Sequence, residues 1–244
     1  MIVKAFIIHL ARAEQRREHV QTLLTSLPFP AEVIDAVDGK LLDEEGIQKF
    51  YRPRLHRPIY PFELNRNEIA CFLSHRRAWQ AILDQKLDAA LIMEDDAAPV
   101  APFFDGLELA LANIEREGFI RFPFRDGRDN GRIVARSKDV SLIEPVCAGL
   151  GMVTQLVSRD AAARLLKATE TVDRPVDVLL QMPWVTGVVP RSVVPGGIRE
   201  ISPTLGGSTL KPKRQISKLK RELLRPIYRA RIAMRARLAA MRRR

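Results

Sequence analysis

Three consecutive carboxylates, Glu94, Asp95 and Asp96, follow directly on an apolar run that ends at Met93. A chain that buries a strand and sets three like charges at its tip needs something there to neutralise them, because neighbouring carboxylates repel unless a cation lies between them. Oxygen-rich clusters with open positions suit Mg²⁺ or Mn²⁺ beside substrate phosphates. The same acids can instead cap a helix or pair with surface arginines, so the triplet alone leaves both readings open. Upstream, Glu68, Ser74 and His75 punctuate an otherwise apolar helical segment, one helix and one loop before the triplet.

The elements that must hold these residues are legible from periodicity. "IVKAFIIHL" (2–10) is a β-branched-rich strand, and "ARAEQRREHVQTLLTSL" after it is a helix stopped by Pro28 and Pro30. "AEVIDAVDGK" is a short strand that ends in the turn pair Asp38-Gly39, and 51–63 is a Pro- and Arg-rich loop. From Asn67, Ile69, Phe72, Leu73, Trp79, Ile82 and Leu83 fall on one helical face that feeds a strand over 89–93. Beyond it the pattern predicts a helix over about 103–116, strands in "GFIRFPF", 132–136, 140–146 and "GMVTQLVS", and a helix in "RDAAARLLKAT". Alternating strands and helices imply an α/β fold, a mixed and mainly parallel sheet covered on both faces. Ligands of such sheets collect outside the carboxyl ends of the strands, where the triplet stands.

Charge divides the chain in two. Residues 211–244 carry 14 of the 40 Lys/Arg and one of the 29 acids, which leaves 26 basic and 28 acidic residues before them. A nearly neutral body (1–210) argues against a nucleic-acid surface on the domain itself, and any anionic partner belongs to the tail (211–244). There Ile216, Leu219, Leu223, Ile227, Ala230, Met234, Leu238 and Met241 recur at helical spacing among lysines and arginines. This predicts a basic amphipathic helix, bent or interrupted at Pro226, that binds an anionic membrane surface, with a solvated charged terminus and an RNA-binding segment as the alternatives. Two unpaired cysteines, Cys71 and Cys147, no signal-like N-terminus and no long apolar run predict a cytoplasmic protein, peripheral on the inner face of a membrane.

Several ordered motifs resemble glycosyltransferase family 25, the lipooligosaccharide-biosynthesis type. "NEIACFLSHRRAW" (67–79) and, one helix later, "LIMEDD" are similar to the family's GEIGCxLSH and LILEDD. Leu10, Arg12, Arg16 and Arg17 match its INLxRxxDRR opening, "AVDGK" (36–40) its AVDG turn, "VSRDAAARLL" (157–166) its ISRxGAxKLL, and "RPVDVLL" (174–180) its PVDxxL. The chain departs from the pattern at His9, Ala11, Gln15, Asn67 and Gln155. Those at 9, 11 and 15 lie near the expected nucleotide pocket and bear on the donor's identity.

The resemblance implies a GT-A-like fold of Rossmann type and transfer of a hexose, often galactose, from a UDP-sugar to a glycan or glycolipid acceptor with inversion. Such a reaction needs charge stabilisation at the leaving diphosphate and a base for the acceptor hydroxyl. It implies Asp96, with Asp95, as ligands of Mn²⁺ or Mg²⁺. Leu10, Arg12, Arg16, Asp38, Ser74, His75, Glu94 and Asp95 form the expected nucleotide-sugar set. Asp177 is the expected base or acceptor-positioning group, with Glu68 as the alternative; an acid at the start of a helix can equally serve only its backbone amides. Two other classes stay open: a metal-dependent phosphohydrolase or nuclease, and a non-enzymatic anionic-surface binder acting through the tail.

Overall fold

The computed structural model describes residues 1–125, 127, 129–207 and 218–242. The N-terminal half runs β1 (Val3–His9), a 3₁₀ turn (Glu14–Arg16), α1 (Arg17–Ser26), β2 (Ala31–Asp35), α2 (Glu44–Phe50), α3 (Arg66–Asp84), β3 (Ala89–Glu94) and β4 (Ala97–Pro99). Then come α4 (Phe103–Leu111), α5 (Ile114–Glu117), β5 (Phe119–Arg121), β6 (Gly131–Ser137), β7 (Val140–Pro145), β8 (Thr154–Ser158) and α6 (Arg159–Ala168). The chain closes with α7 (Val176–Leu179), α8 (Pro183–Thr186), β9 (Arg191–Val194), β10 (Ile198–Glu200) and α9 (Lys218–Met241).

The main sheet has the order β2-β1-β3-β8-β5-β9-β7-β6. β1 lies parallel to β2 and β3, and β5 to β9, whereas β8 is antiparallel to its neighbours β3 and β5, and β7 to β9 and β6. Six of the eight strands therefore point one way and β7 and β8 the other, so the fold is the expected mixed, mainly parallel α/β sheet. Alternation along the central strands explains why both faces are covered. Phe6 and Ile8 of β1 and Ala90 and Ile92 of β3 face a core that includes α3, α6 and α9. Ala5, Ile7, Ala89, Leu91 and Met93 face the opposite core, which includes α1 and α4.

α3 begins where the chemistry dictates. The Asn65 side chain accepts from the amides of Asn67 and Glu68, and Glu68 returns a bond to the Asn65 amide. This capping box satisfies amide donors that the first helical turn leaves unpaired. Of the expected apolar face, Ile69, Phe72, Trp79 and Ile82 are fully buried, and Leu73 and Leu83 pack partly against the core.

The tail departs from expectation in three ways. α9 runs through Pro226 without interruption. It is also docked on the body, not appended to it: Tyr228 and Ile232 join the α3/α6 core. Arg174 holds the docking point, donating to Tyr228 Oη at 2.7 Å while bonded to Asp173 and to the carbonyls of His56 and Pro58. And the buried face is Tyr228, Ile232 and Ala236, while Leu223, Ile227, Met234, Leu238 and Met241 of the expected stripe are exposed. Ile216 lies outside the described residues, as does 208–217 as a whole. No helix among the described residues is long and apolar enough to cross a membrane.

Candidate active site

β1 and β3 are adjacent and parallel, so His9 and the Glu94–Asp96 triplet emerge at the same edge of the sheet. A cleft of about 570 Å³ opens there, walled by α3, the 36–39 turn, the start of α7 and α9. Leu10, Arg12, Arg16, Glu68, Ser74, His75, Glu94, Asp95, Asp96 and Asp177 all line it. Asp38 stands one step behind the wall that Val37 and Gly39 form.

The charge problem at the strand tip is solved mainly by Arg16. This guanidinium, 2% exposed, donates to Asp95 Oδ1 and, at 3.0 Å, to Asp96 Oδ2, and anchors itself on the Gly207 carbonyl at 2.9 Å. His9 Nδ1–H donates to Asp95 Oδ2 at 2.7 Å. Both oxygens of Asp95 are thus engaged by protein side chains. Asp96 differs. Its Oδ1 is buried without a hydrogen-bond partner among the described residues. Burial first, then Glu94, push its carboxyl up to about 7 against the opposing pull of Arg16, and Asp95 and Glu200 add to the rise.

An oxygen atom with no partner, in a negative setting that favours a proton or a cation, is what a hard divalent ion fits. A second set of donors lies deeper. Among the described residues, Cys71, His75 and Glu94 offer ligand atoms within 4.8 Å of one another. The Cys71 thiol is pushed well above its ordinary range, by burial and then by Glu94, so the sulfur holds its proton and the set is poorly matched to Mn²⁺ or Mg²⁺. His75 bridges this layer, with Nε2 3.3 Å from Glu94 Oε1 and Nδ1 3.3 Å from Gln155 Nε2.

Asp177 stands at the start of α7, its Oδ2 accepting from the Gly151 amide at 3.0 Å and its Oδ1 from the Val178 amide at 2.8 Å. Burial raises its pKa against those bonds and against Arg121, with Glu94 adding to the rise. The loop that supplies the Gly151 amide is clamped from behind: buried Arg121 donates to the carbonyls of Leu150 and Gly151 and to Asp129. Gly151 itself has φ +96°, and an added β-carbon would lie 2.4 Å from the Phe124 ring.

The other expected residues take more local parts. Arg12 Nε donates to Asp38 Oδ2 at 2.7 Å. Burial raises the Asp38 pKa, but the Lys40 amide and Arg12 outweigh it and hold that carboxyl below its usual range. Ser74 accepts from the Val37 amide at 2.9 Å and donates to the Ala70 carbonyl, tying the turn to α3. Glu68 lines the cleft while one of its oxygens serves the capping box. Arg17 lies on the surface, paired with Glu14. No local sequence pattern marks His9 or Arg121, which act behind the cleft through Asp95 and the Gly151 loop, or Glu200, Ser202, Arg225, Tyr228 and Arg229, which the fold brings to the cleft from distant segments.

A family model described as glycosyltransferase family 25 (LPS biosynthesis protein) matches residues 2–180, a span that holds both the strand-tip triplet and Asp177. The chain belongs to glycosyltransferase family 25. Curated relatives of this family 25 chain include human procollagen galactosyltransferase 2, 31% identical over 114 residues, which are 46% of this chain and 18% of the relative. Zebrafish (Danio rerio) procollagen galactosyltransferase 1 is 33% identical over 96 residues, 38% of this chain and 16% of its own length. Human inactive glycosyltransferase 25 family member 3 is 32% identical over 117 residues, 47% and 20% of the two chains. The matched stretch spans about a fifth of these relatives. Two solved structures align over 79% of the chain at low similarity: A197 from STIV (TM-score 0.41, 11% identity, 81% of that chain) and mannose-1-phosphate geranyltransferase from Thermus thermophilus (0.37, 10%, 74%). Neither likeness is close enough to bear on function.

Proposed function

We propose that this family 25 chain transfers a hexose, galactose first among candidates, from a UDP-sugar to a saccharide acceptor of a lipopolysaccharide, lipooligosaccharide or other surface glycan, with inversion. Galactose is the sugar in the names of the procollagen galactosyltransferases. Because another relative is named inactive, activity needs its own test. The observation that carries the reading is the unpartnered, buried Asp96 Oδ1 beside Arg16, in a cleft of the size that takes a nucleotide sugar.

Asp96, with Asp95 or Glu94 beside it, would hold Mn²⁺ or Mg²⁺, which when bound offsets the negative charge that UDP gains as the glycosidic bond breaks. Arg16 keeps Asp95 and Asp96 in place without reorganisation during the reaction. Arg12, with Asp38, borders the nucleotide end of the cleft. Asp177, its pKa raised by burial, takes the proton of the acceptor hydroxyl. The work is done at the cytoplasmic face of a membrane that bears the acceptor. The test is a UDP-sugar panel with Mn²⁺, Mg²⁺ or chelator, scored for transfer to a glycan and for hydrolysis without one. Metal-dependent transfer of one hexose is expected; phosphate release or nucleic-acid cleavage with no acceptor would assign the site to a hydrolase.

A further inference from the structure

Helix α9 carries two apolar faces, and the body of the fold covers one of them. Tyr228, Ile232 and Ala236 are buried, at 7%, 1% and 1% exposure. Leu223, Ile227, Met234, Leu238 and Met241 remain 49–71% exposed. At about 100° per residue, this outer set falls within a sector of about 60° whose centre lies about 155° from that of the buried set. Exposed arginines border it. Arg231, Arg235 and Arg242 project on one side and Arg237 on the other, with Arg235 also donating to the Arg57 carbonyl at 2.8 Å.

We propose that this outer face of α9 is a docking surface for an anionic phospholipid leaflet, with the stripe seated at the headgroup–acyl boundary and the arginines on lipid phosphates. Long basic side chains on both margins of an apolar stripe can lay their stems along it and lift their charges to the phosphates. Pairing with a second copy would set two arginine rows against each other, and Glu222 is the one acid in 211–244. A polynucleotide would satisfy the arginines but leave Ile227, Met234 and Leu238 in water. The 24-residue helix lies flat on such a surface, and it is not apolar enough to span one.

The inner edge of the same helix contributes Arg225, Tyr228 and Arg229 to the cleft. A leaflet docked on one side of α9 therefore lies one helix width from the candidate active site, within reach of a lipid-borne acceptor. Lipid binding is independent of the reaction proposed above; its use for acceptor delivery rests on that reaction.

The experiment is vesicle flotation of the full chain and of an Ile227→Glu/Met234→Glu/Leu238→Glu variant. The vesicles are phosphatidylethanolamine with phosphatidylglycerol, or phosphatidylcholine alone, and melting and UDP binding are followed in parallel. The wild type is expected to float with the anionic vesicles and not with the neutral ones. The variant should lose at least about tenfold in apparent affinity with melting and UDP binding unchanged, because its substituted side chains are exposed. An Arg231→Gln/Arg237→Gln variant should lose about tenfold or more on anionic vesicles alone. Equal flotation of all three proteins would overturn the proposal. So would a wild-type dimer that the glutamates dissociate, which gives the stripe to a second copy. Polyuridylate binding that matches vesicle binding and ignores the glutamates would make the helix a plain polyanion surface.

Discussion

At the scale of single residues, the site is a division of labour among carboxylates that look alike in sequence. Asp95 is held on both oxygens by Arg16 and His9, whereas Asp96 keeps one oxygen open. Asp96→Ala should abolish transfer while leaving the melting temperature within a few degrees of wild type, measured by a coupled UDP-release assay and calorimetry. Arg16→Met should be worse for the fold, because it leaves two buried acids without their cation; a loss of about 3–5 kcal/mol in denaturant unfolding is expected. The raised carboxyl of Asp96 also sets a pH dependence. Below about 7 it keeps a proton that a cation must displace, so Mn²⁺ affinity should rise up to about tenfold per pH unit towards 7 and level off above it. Titration calorimetry from acid to mildly alkaline pH reads this directly. For Asp177, substitution by Asn should lower kcat far more than UDP-sugar affinity, since a base acts in the transition state.

Elements explain why some of this could be read in advance. β1, α1, α3, β3 and α6 are long, periodic and punctuated by Pro or polar caps, so their order and the strand-tip triplet were legible. α2, α7, α8, β9 and β10 are short, and their pairing depends on distant partners; β10 runs against β4, for instance, to bring Glu200 near Asp96. No local pattern carries that information. Arg16 is instructive because the family resemblance marks it as a cleft residue, but only the fold shows how: a 3₁₀ turn aims it at Asp95 and Asp96, and the distant Gly207 carbonyl fixes it. Gly151 is a second hidden part. At φ +96° and packed on Phe124, Gly151→Ala should destabilise the loop by more than about 1 kcal/mol and shift the Asp177 amide bond, visible as lower kcat with a lower melting temperature.

For the whole molecule, the basic tail and the neutral body are one structure. The helical period of the tail was readable, but two opposed apolar faces on one helix cannot be told apart by periodicity, and only packing shows which one the core takes. Tyr228 and Ile232 each bury a large side chain, so ending the chain at Gly207 should lower stability by about 3–6 kcal/mol at about 1.5–3 each. Thermal shift with UDP-galactose and Mn²⁺, on wild type and Asp96→Ala, reads whether Asp96 builds the proposed cation-dependent UDP-sugar site. At ligand about 100 times its Kd, the wild type should gain about 5–10 °C only when both ligands are present, and the variant almost nothing. An equal gain in the two proteins, or a wild-type gain that persists in chelator, would contradict such a site.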